Sequence, residues 1–173
     1  MKERIEVLHG VNFDVLGRRP AAHYGGLTLE ALEVQIKRYA DQLELAVAFS
    51  QTNHEGEYCE ALHNSTGAGL ILNPGAWTHY SWAIRDALEV TGLPAVEVHL
   101  SAVDEREEWR RLSVIRDVCI GTVQGKGPEG YRDGLALLAE HLGQWAAPTA
   151  WSPCWRSASS TARWSPTSST SAI

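Results

Sequence analysis

Several things are scarce in this 173-residue chain, and each scarcity narrows what it can be. Its three cysteines, Cys59, Cys119 and Cys154, are odd in number, far apart and without a Cys-x-x-Cys pair. That excludes a disulfide framework and a thiolate zinc site, and fits a reducing compartment. There is no basic excess: 15 Lys and Arg stand against 21 Asp and Glu, for a net charge of -6. With an isoelectric point near 5.6 the chain lacks the positive face that a nucleic-acid or membrane-surface binder needs. No apolar run reaches the roughly 18 residues of a membrane span, and none follows Met1-Lys-Glu-Arg4, so a soluble, cytoplasmic protein is expected. His54, Glu55 and His79 do not form a His-Glu-x-x-His or comparable hydrolase pattern. A small-molecule enzyme or an assembly subunit remains.

The stretch from Ile5 to Gly26 organises what is present. Ile5 to Leu8 is aliphatic enough for a strand, and Gly10, Asn12, Gly17, Pro20, Gly25 and Gly26 after it exclude a helix. A loop at the C-terminal end of a strand is where an open parallel sheet binds ligands. Asn12, Arg18, Arg19 and Tyr24 are therefore polar groups in a binding position.

The rest alternates. Thr28 caps a helix to about Leu43, with Leu29, Leu32, Ile36, Tyr39 and Leu43 at helical spacing. A strand over Leu45–Ser50 follows, and then a polar turn from Gln51 opens a helix to about Ser65. Gly69–Asn73 is an apolar run between breakers, as a buried parallel strand would be. Pro74–Ser81 loops into a helix ending near Gly92, and Pro94–Leu100 is the fourth strand. Ser101 is expected to open a charged helix through Arg110, Val118–Val123 to be the fifth strand, and Leu135, Leu138 and Leu142 to mark a closing helix. Five such units predict a three-layer, flavodoxin-like α/β fold, doubly wound on a parallel sheet of order 2-1-3-4-5. The catalytic domain is expected to span 1–145. From 146 to 173 the chain turns Ser-, Thr- and Trp-rich, with eleven Ser or Thr and no acidic residue after 150, which predicts a disordered or loosely docked tail. Without that tail, residues 1–150 hold 13 basic and 21 acidic residues, a balance of -8.

Lining up the strand ends collects Asn12, Arg19 and Tyr24, then Asn53 and His54, then Asn73 and His79, then His99 with Glu97 two residues before it on the same face. A phenol with a pKa of about 10 is a poor base, but a neighbouring guanidinium favours the phenolate. His99 held by Glu97 is suited to deliver a proton from the other side of a substrate. Arginines in an acidic chain suit a carboxylate ligand. The same residues also fit plainer roles: Tyr24 as a packing residue, Arg18 and Arg19 as surface charges, Glu107 to Arg111 as a solvated face, His9, His23, His63 and His141 as ordinary surface or core histidines. Gly125-x-Gly127-x-x-Gly130 has dinucleotide-loop spacing but sits in the last unit, where that motif does not belong.

At these residues the chain resembles the type II 3-dehydroquinate dehydratases, from about Ile5 to His141. That family follows its first strand with Asn-Gly-Pro-Asn-Leu-Asn-x-Leu-Gly-x-Arg and Tyr-Gly. Here the stretch reads His9-Gly-Val-Asn12-Phe-Asp-Val-Leu16-Gly17-Arg18-Arg19, then Tyr24-Gly25. Gln51–Glu57, Leu72–His79 and Glu97–Ser101 match further family blocks, and Arg85-Asp86, Glu107–Arg110 and Gly127–Tyr131 fall in register.

The resemblance implies a lyase that reversibly dehydrates 3-dehydroquinate to 3-dehydroshikimate by anti elimination through an enolate, in the shikimate pathway or quinate catabolism. No metal or organic cofactor is implied. Tyr24 beside Arg19 would be the base, Asn12 would stabilise the enolate through a water, and His99 oriented by Glu97 would protonate the leaving hydroxyl. Asn73, His79, Asp86, Leu100, Ser101 and Arg110 would hold the substrate, with Arg110 on its carboxylate. The implied partners are a small-molecule substrate and copies of the chain itself, in a trimer-based dodecamer where Asp86 reaches a neighbour's site; neither nucleic acid nor membrane is implied. The chain departs from the family at His9, Val11 and Phe13 and at Leu112, where the family commonly has His. The alternative is an inactive flavodoxin-like homologue that only assembles or binds.

Overall fold

The computed structural model describes residues 2–19 and 26–143, so Tyr24 and the tail expected from 146 lie outside the described residues. Five strands form one all-parallel sheet: β1 (Arg4–His9), β2 (Ala46–Gln51), β3 (Gly69–Asn73), β4 (Ala95–His99) and β5 (Gly121–Gln124), in the order β2-β1-β3-β4-β5. The expected topology is thus the observed one. Around the sheet lie α1 (Leu29–Gln42), α2 (Glu55–His63), α3 (Trp82–Thr91), α4 (Glu108–Arg111) and α5 (Glu129–His141). No helix among the described residues is long and apolar enough to cross a membrane.

Strand alternation sends side chains into two cores. Ile5, Val7, Ile71, Val96 and Val98 pack with Leu32 and Ile36 of α1 and Tyr131, Leu135 and Leu138 of α5. Leu8, Leu70 and Leu72 pack on the other face with Tyr58 and Leu62 of α2 and Ile84 and Leu88 of α3. With helices on both sides every residue of β3 and β4 is buried, which explains the apolar run of β3 and leaves Glu97 and His99 of β4 as buried polar groups. Thr28 caps α1 as expected, its hydroxyl accepting the Ala31 N–H at 3.2 Å.

Two expectations need correction. The stretch after Ser101 is not one charged helix: Val103–Glu105 forms a 3-10 turn, Arg106 is extended, and α4 begins only at Glu108. Val103 is buried, so the segment must bend inward there instead of continuing as a solvated cylinder. The fifth strand begins at Gly121, not Val118, because Arg116–Val118 makes a 3-10 turn and the ladder with β4 starts at Val96 opposite Gly121.

Close approach at the C-terminal end of the sheet shapes what sits there. The Gly10 N–H donates to Asn73 O at 2.9 Å, and a Cβ on Gly10 would stand 2.2 Å from Pro74 O, so only glycine fits. Gly134 does the same for α5: a Cβ there would meet Val98 Cγ2 at 3.0 Å and Ile71 Cδ1 at 3.1 Å. That close seat brings Tyr131, one turn earlier, beneath Asn73.

Candidate active site

A cleft of about 370 Å³ opens over the C-terminal ends of β1, β3 and β4. Seven of the anticipated residues line it: Arg19, Asn73, His79, His99, Leu100, Ser101 and Arg110. They come from four segments far apart in sequence, brought together because parallel strands end side by side.

Glu97 is fully buried directly beneath His99. His99 Nε2 donates to Glu97 Oε1 at 2.8 Å. Thr78 Oγ1 also donates to Oε1, Ser113 Oγ lies 2.8 and 3.0 Å from the two carboxylate oxygens, and Thr122 Oγ1 is 3.4 Å from Oε2. Burial alone would raise the Glu97 pKa, but the hydrogen bonds from His99, Thr78 and Ser113 and the positive charge available at His99 outweigh it, and the net direction is down. Glu97 therefore stays ionised and orients the ring, leaving Nδ1 of His99 as the nitrogen that exchanges a proton with a ligand.

His79 donates from Nδ1 to Leu112 O at 2.6 Å, which leaves Nε2 for the cleft. Burial pushes its pKa down, and the His99 and Arg110 charges act in the same direction against the pull of Leu112 O and Glu97. The ring is neutral near pH 7, and it stands edge-on to Trp109 with centroids 5.3 Å apart. The Arg110 guanidinium lies 4.0 Å from the Trp109 ring centroid and its Nε is 3.1 Å from Glu107 Oε2. On the opposite wall Asn73 Nδ2 donates to Tyr131 Oη at 3.0 Å, so its Oδ1 and second N–H are left for a ligand.

Asn12 and Asp86 do not line this cleft. Asn12 is exposed in the first loop at φ 67°, with its N–H donating to Asn53 Oδ1 at 2.7 Å. Asp86 is exposed on α3, beside Trp82, Arg85 and Glu89 around a separate depression. His54 opens α2 and is not among the lining residues. Among the described residues no group of three or more His, Cys, Asp or Glu side chains is placed to hold a metal ion.

Residue reading missed Arg106, which joins Arg19 and Arg110 as a third guanidinium on the cleft, and it missed Thr78, Ser113 and Thr122 around Glu97. Arg106 is extended and precedes α4, so helical spacing could not have placed it beside Arg110, and no local signal flagged Ser113. The loop glycines 125 and 127 turn their N–H groups into the fold: these donate to His99 O and Leu100 O at 3.2 and 3.0 Å and hold the end of β4 in place.

Comparison with known proteins agrees with this geometry. The family model described as dehydroquinase class II matches residues 3–139. The chain is 46% identical over 149 residues to 3-dehydroquinate dehydratase 2 of Pseudomonas putida, covering 85% of this chain and all of that protein. It is 45% identical over 137 residues to 3-dehydroquinate dehydratase of Halothermothrix orenii, covering 78% and 93%. The crystal structure of type II dehydroquinase from Butyrivibrio crossotus superposes with a TM-score of 0.74 at 41% identity, over 79% of this chain and 97% of that one. With a family model spanning most of its length and relatives this similar over nearly their whole chains, this protein belongs to the class II dehydroquinase family.

Proposed function

We propose that the cleft carries out the reversible anti dehydration of 3-dehydroquinate to 3-dehydroshikimate through an enolate, as a step of the shikimate pathway or of quinate catabolism. As a class II dehydroquinase the chain is a lyase, and the chemistry is loss of water from the carbon next to a ketone-activated carbon. The observation that carries the mechanism is the Glu97–His99 pair, 2.8 Å apart, at the floor of a cleft ringed by Arg19, Arg106 and Arg110.

Tyr24, as phenolate stabilised by the Arg19 guanidinium, takes the proton α to the ketone. Negative charge then builds on the ketone oxygen, where Asn12, acting through a water, stabilises it. His99, as imidazolium, gives its Nδ1 proton to the departing hydroxyl, which leaves as water, while Glu97 holds the ring by the Nε2 hydrogen bond. Tyr24 ends protonated and His99 neutral, and exchange with solvent restores both. Arg110, with Arg106 beside it, holds the substrate carboxylate, while Asn73, neutral His79, Leu100 and Ser101 hold the ring. A family-like assembly of trimers into a dodecamer would bring a neighbour's Asp86 to the cleft, and exposed Trp82 and Val90 on the same helix support such contacts. The proposal also takes the enzyme to be cytoplasmic and to need no metal or organic cofactor.

The test is the rise of enone absorbance when 3-dehydroquinate is added to the purified protein, beside Tyr24→Phe and Arg19→Ala. Turnover that both substitutions reduce by about 10²-fold or more supports the tyrosinate mechanism. A silent parent would favour the non-catalytic homologue, and undiminished variants would require another base. Sedimentation velocity of the parent and of Trp82→Glu tests the assembly.

A further inference from the structure

A second buried polar network lies under the cleft, on the face of the sheet opposite Glu97. His9 at the end of β1 and Asn73 at the end of β3 are paired in the strand register and point to the side of α5. There Tyr131 bridges them. Asn73 Nδ2 donates to Tyr131 Oη at 3.0 Å, and Tyr131 Oη lies 3.3 Å from His9 Nδ1. All three side chains are almost wholly buried, and His9 is clamped by Phe13 with ring centroids 5.0 Å apart and by Phe49 at 6.4 Å.

Donor counting gives the chain a direction. The Tyr131 oxygen accepts from the Asn73 amide, so its single O–H is free to donate onward, and the acceptor in reach is His9 Nδ1. This requires Nδ1 to be unprotonated and the ring proton to sit on Nε2, which has no hydrogen-bond partner among the described residues. The ring pays that penalty while its burial pushes the imidazole pKa down to about 3, so it stays neutral. An apolar residue would fill the space between Phe13 and Phe49 without leaving a buried N–H orphaned, so packing alone does not account for a histidine here.

We propose that His9 and Tyr131 are positioning residues for substrate binding, acting through Asn73: the relay Asn73–Tyr131–His9 fixes which edge of the Asn73 amide faces the cleft. Without the relay the amide is free to rotate or to turn its N–H edge outward, and the acceptor presented to a substrate hydroxyl is lost for part of the time. The inference rests on Asn73 holding substrate in the proposed dehydration.

The experiment is a kinetic cycle on the full chain with 3-dehydroquinate. Tyr131→Phe keeps the ring and removes the hydroxyl; it is expected to raise KM about 5- to 20-fold with kcat within about threefold, the size of one lost hydrogen bond. In an Asn73→Ala background the same substitution is expected to change KM by less than about twofold, because its only route to the substrate is gone. His9→Leu should reproduce the KM effect. His9→Asn should reverse most of it, since Asn Oδ1 sits one bond beyond Cγ, as His Nδ1 does, and accepts from the same hydroxyl. A structural role alone would not distinguish His9→Asn from His9→Leu by KM nor lose its effect in the Asn73→Ala background. If Tyr131→Phe does not fold, the His9 pair carries the test unaided. Equal KM for His9→Leu and His9→Asn, or the same factor for Tyr131→Phe in both backgrounds, would overturn the relay. A parent that does not turn over 3-dehydroquinate would instead overturn the dehydratase mechanism beneath it.

Discussion

On one face of the sheet the cleft rests on an ionised carboxylate, and on the other on a neutral imidazole; the contrast shows how one fold prepares two kinds of contact. Glu97 is saturated by donors from four elements, His99, Thr78, Ser113 and Thr122, so a buried charge survives and can stabilise an imidazolium. Among the described residues the His9 ring has a single hydrogen-bonding neighbour and aromatic rings around it, so it stays uncharged and accepts at Nδ1. Charge beneath His99 suits proton transfer; neutrality beneath Asn73 suits fixed orientation. Their strand positions follow from period two, because Glu97 and His99 share one face of β4 while His9 and Asn73 share the other face of β1 and β3.

The largest expected break is on the charged side. His99→Ala should lower kcat about 10²- to 10⁴-fold, the range of a general acid, while far-UV circular dichroism stays unchanged. Glu97→Gln should lower kcat in the same direction and also destabilise the fold by about 1–3 kcal/mol, because the amide N–H₂ now faces hydroxyls and an imidazole that were donating. Urea unfolding monitored by fluorescence measures the second effect. Retention of full activity by Glu97→Gln would show that the charge is not needed.

Acid separates the two faces by window. Glu97 has a lowered pKa, so its contribution is complete above the ordinary value of 4.5 and is lost as pH falls through its lower folded value. His9 has a pKa lowered from 6.5 to about 3, so its contribution is complete above 6.5 and erodes as the unfolded chain takes up a proton below it. His79 is lowered too and adds to the same upper window. Unfolding free energy should therefore already fall between pH 6.5 and 4.5, with His9 contributing up to about 1.4 kcal/mol per pH unit. His9→Asn should flatten that slope and leave the steeper loss below pH 4.5 in place. A parent with no slope between pH 6.5 and 4.5 would mean that His9 is not held neutral.

Much of this was readable in advance, for reasons that also explain the gaps. β3 carries a local signal, an apolar run between Gly69 and Pro74; β1 and β4 are aliphatic stretches bounded by Gly10 and by Pro94; and α1 announces itself by Thr28 and its 3.6-residue period. The Glu97–His99 pairing was readable because residues two apart on a strand share one face and lie within side-chain reach of each other. Arg106 was hidden: the charges from Asp104 to Arg111 look like a solvated helix face, and only the burial of Val103 turns the segment so that both arginines reach the cleft. Val118 to Ile120 reads as strand by composition, yet Ile120 is exposed and only its N–H, donating to Ala95 O at 2.8 Å, leads into the ladder. The His9–Tyr131 contact spans 122 residues and depends on Gly134 letting α5 sit close to the sheet, which no local pattern encodes. The family resemblance placed Asn12 and Asp86 near substrate, whereas the cleft of a single described chain is lined by neither.

The smallest expected effect tests whether the charged face is a set of equal bonds or a graded one. Ser113 Oγ lies 2.8 and 3.0 Å from the two oxygens of Glu97 and also accepts the Ile115 N–H at 3.3 Å, so Ser113→Ala removes a well-formed contact and a turn bond. It should cost about 1–2 kcal/mol by urea unfolding. Thr122 Oγ1 reaches the same carboxylate only at 3.4 Å, so Thr122→Val, which keeps the shape, should cost less than about 0.5 kcal/mol. Equal losses in the two variants would mean that Glu97 is held by its charge alone, whichever hydroxyls surround it. Unequal losses in this order would mean that short, directed bonds hold it, and that the lateral position of His99 over the cleft depends on Ser113 far more than on Thr122.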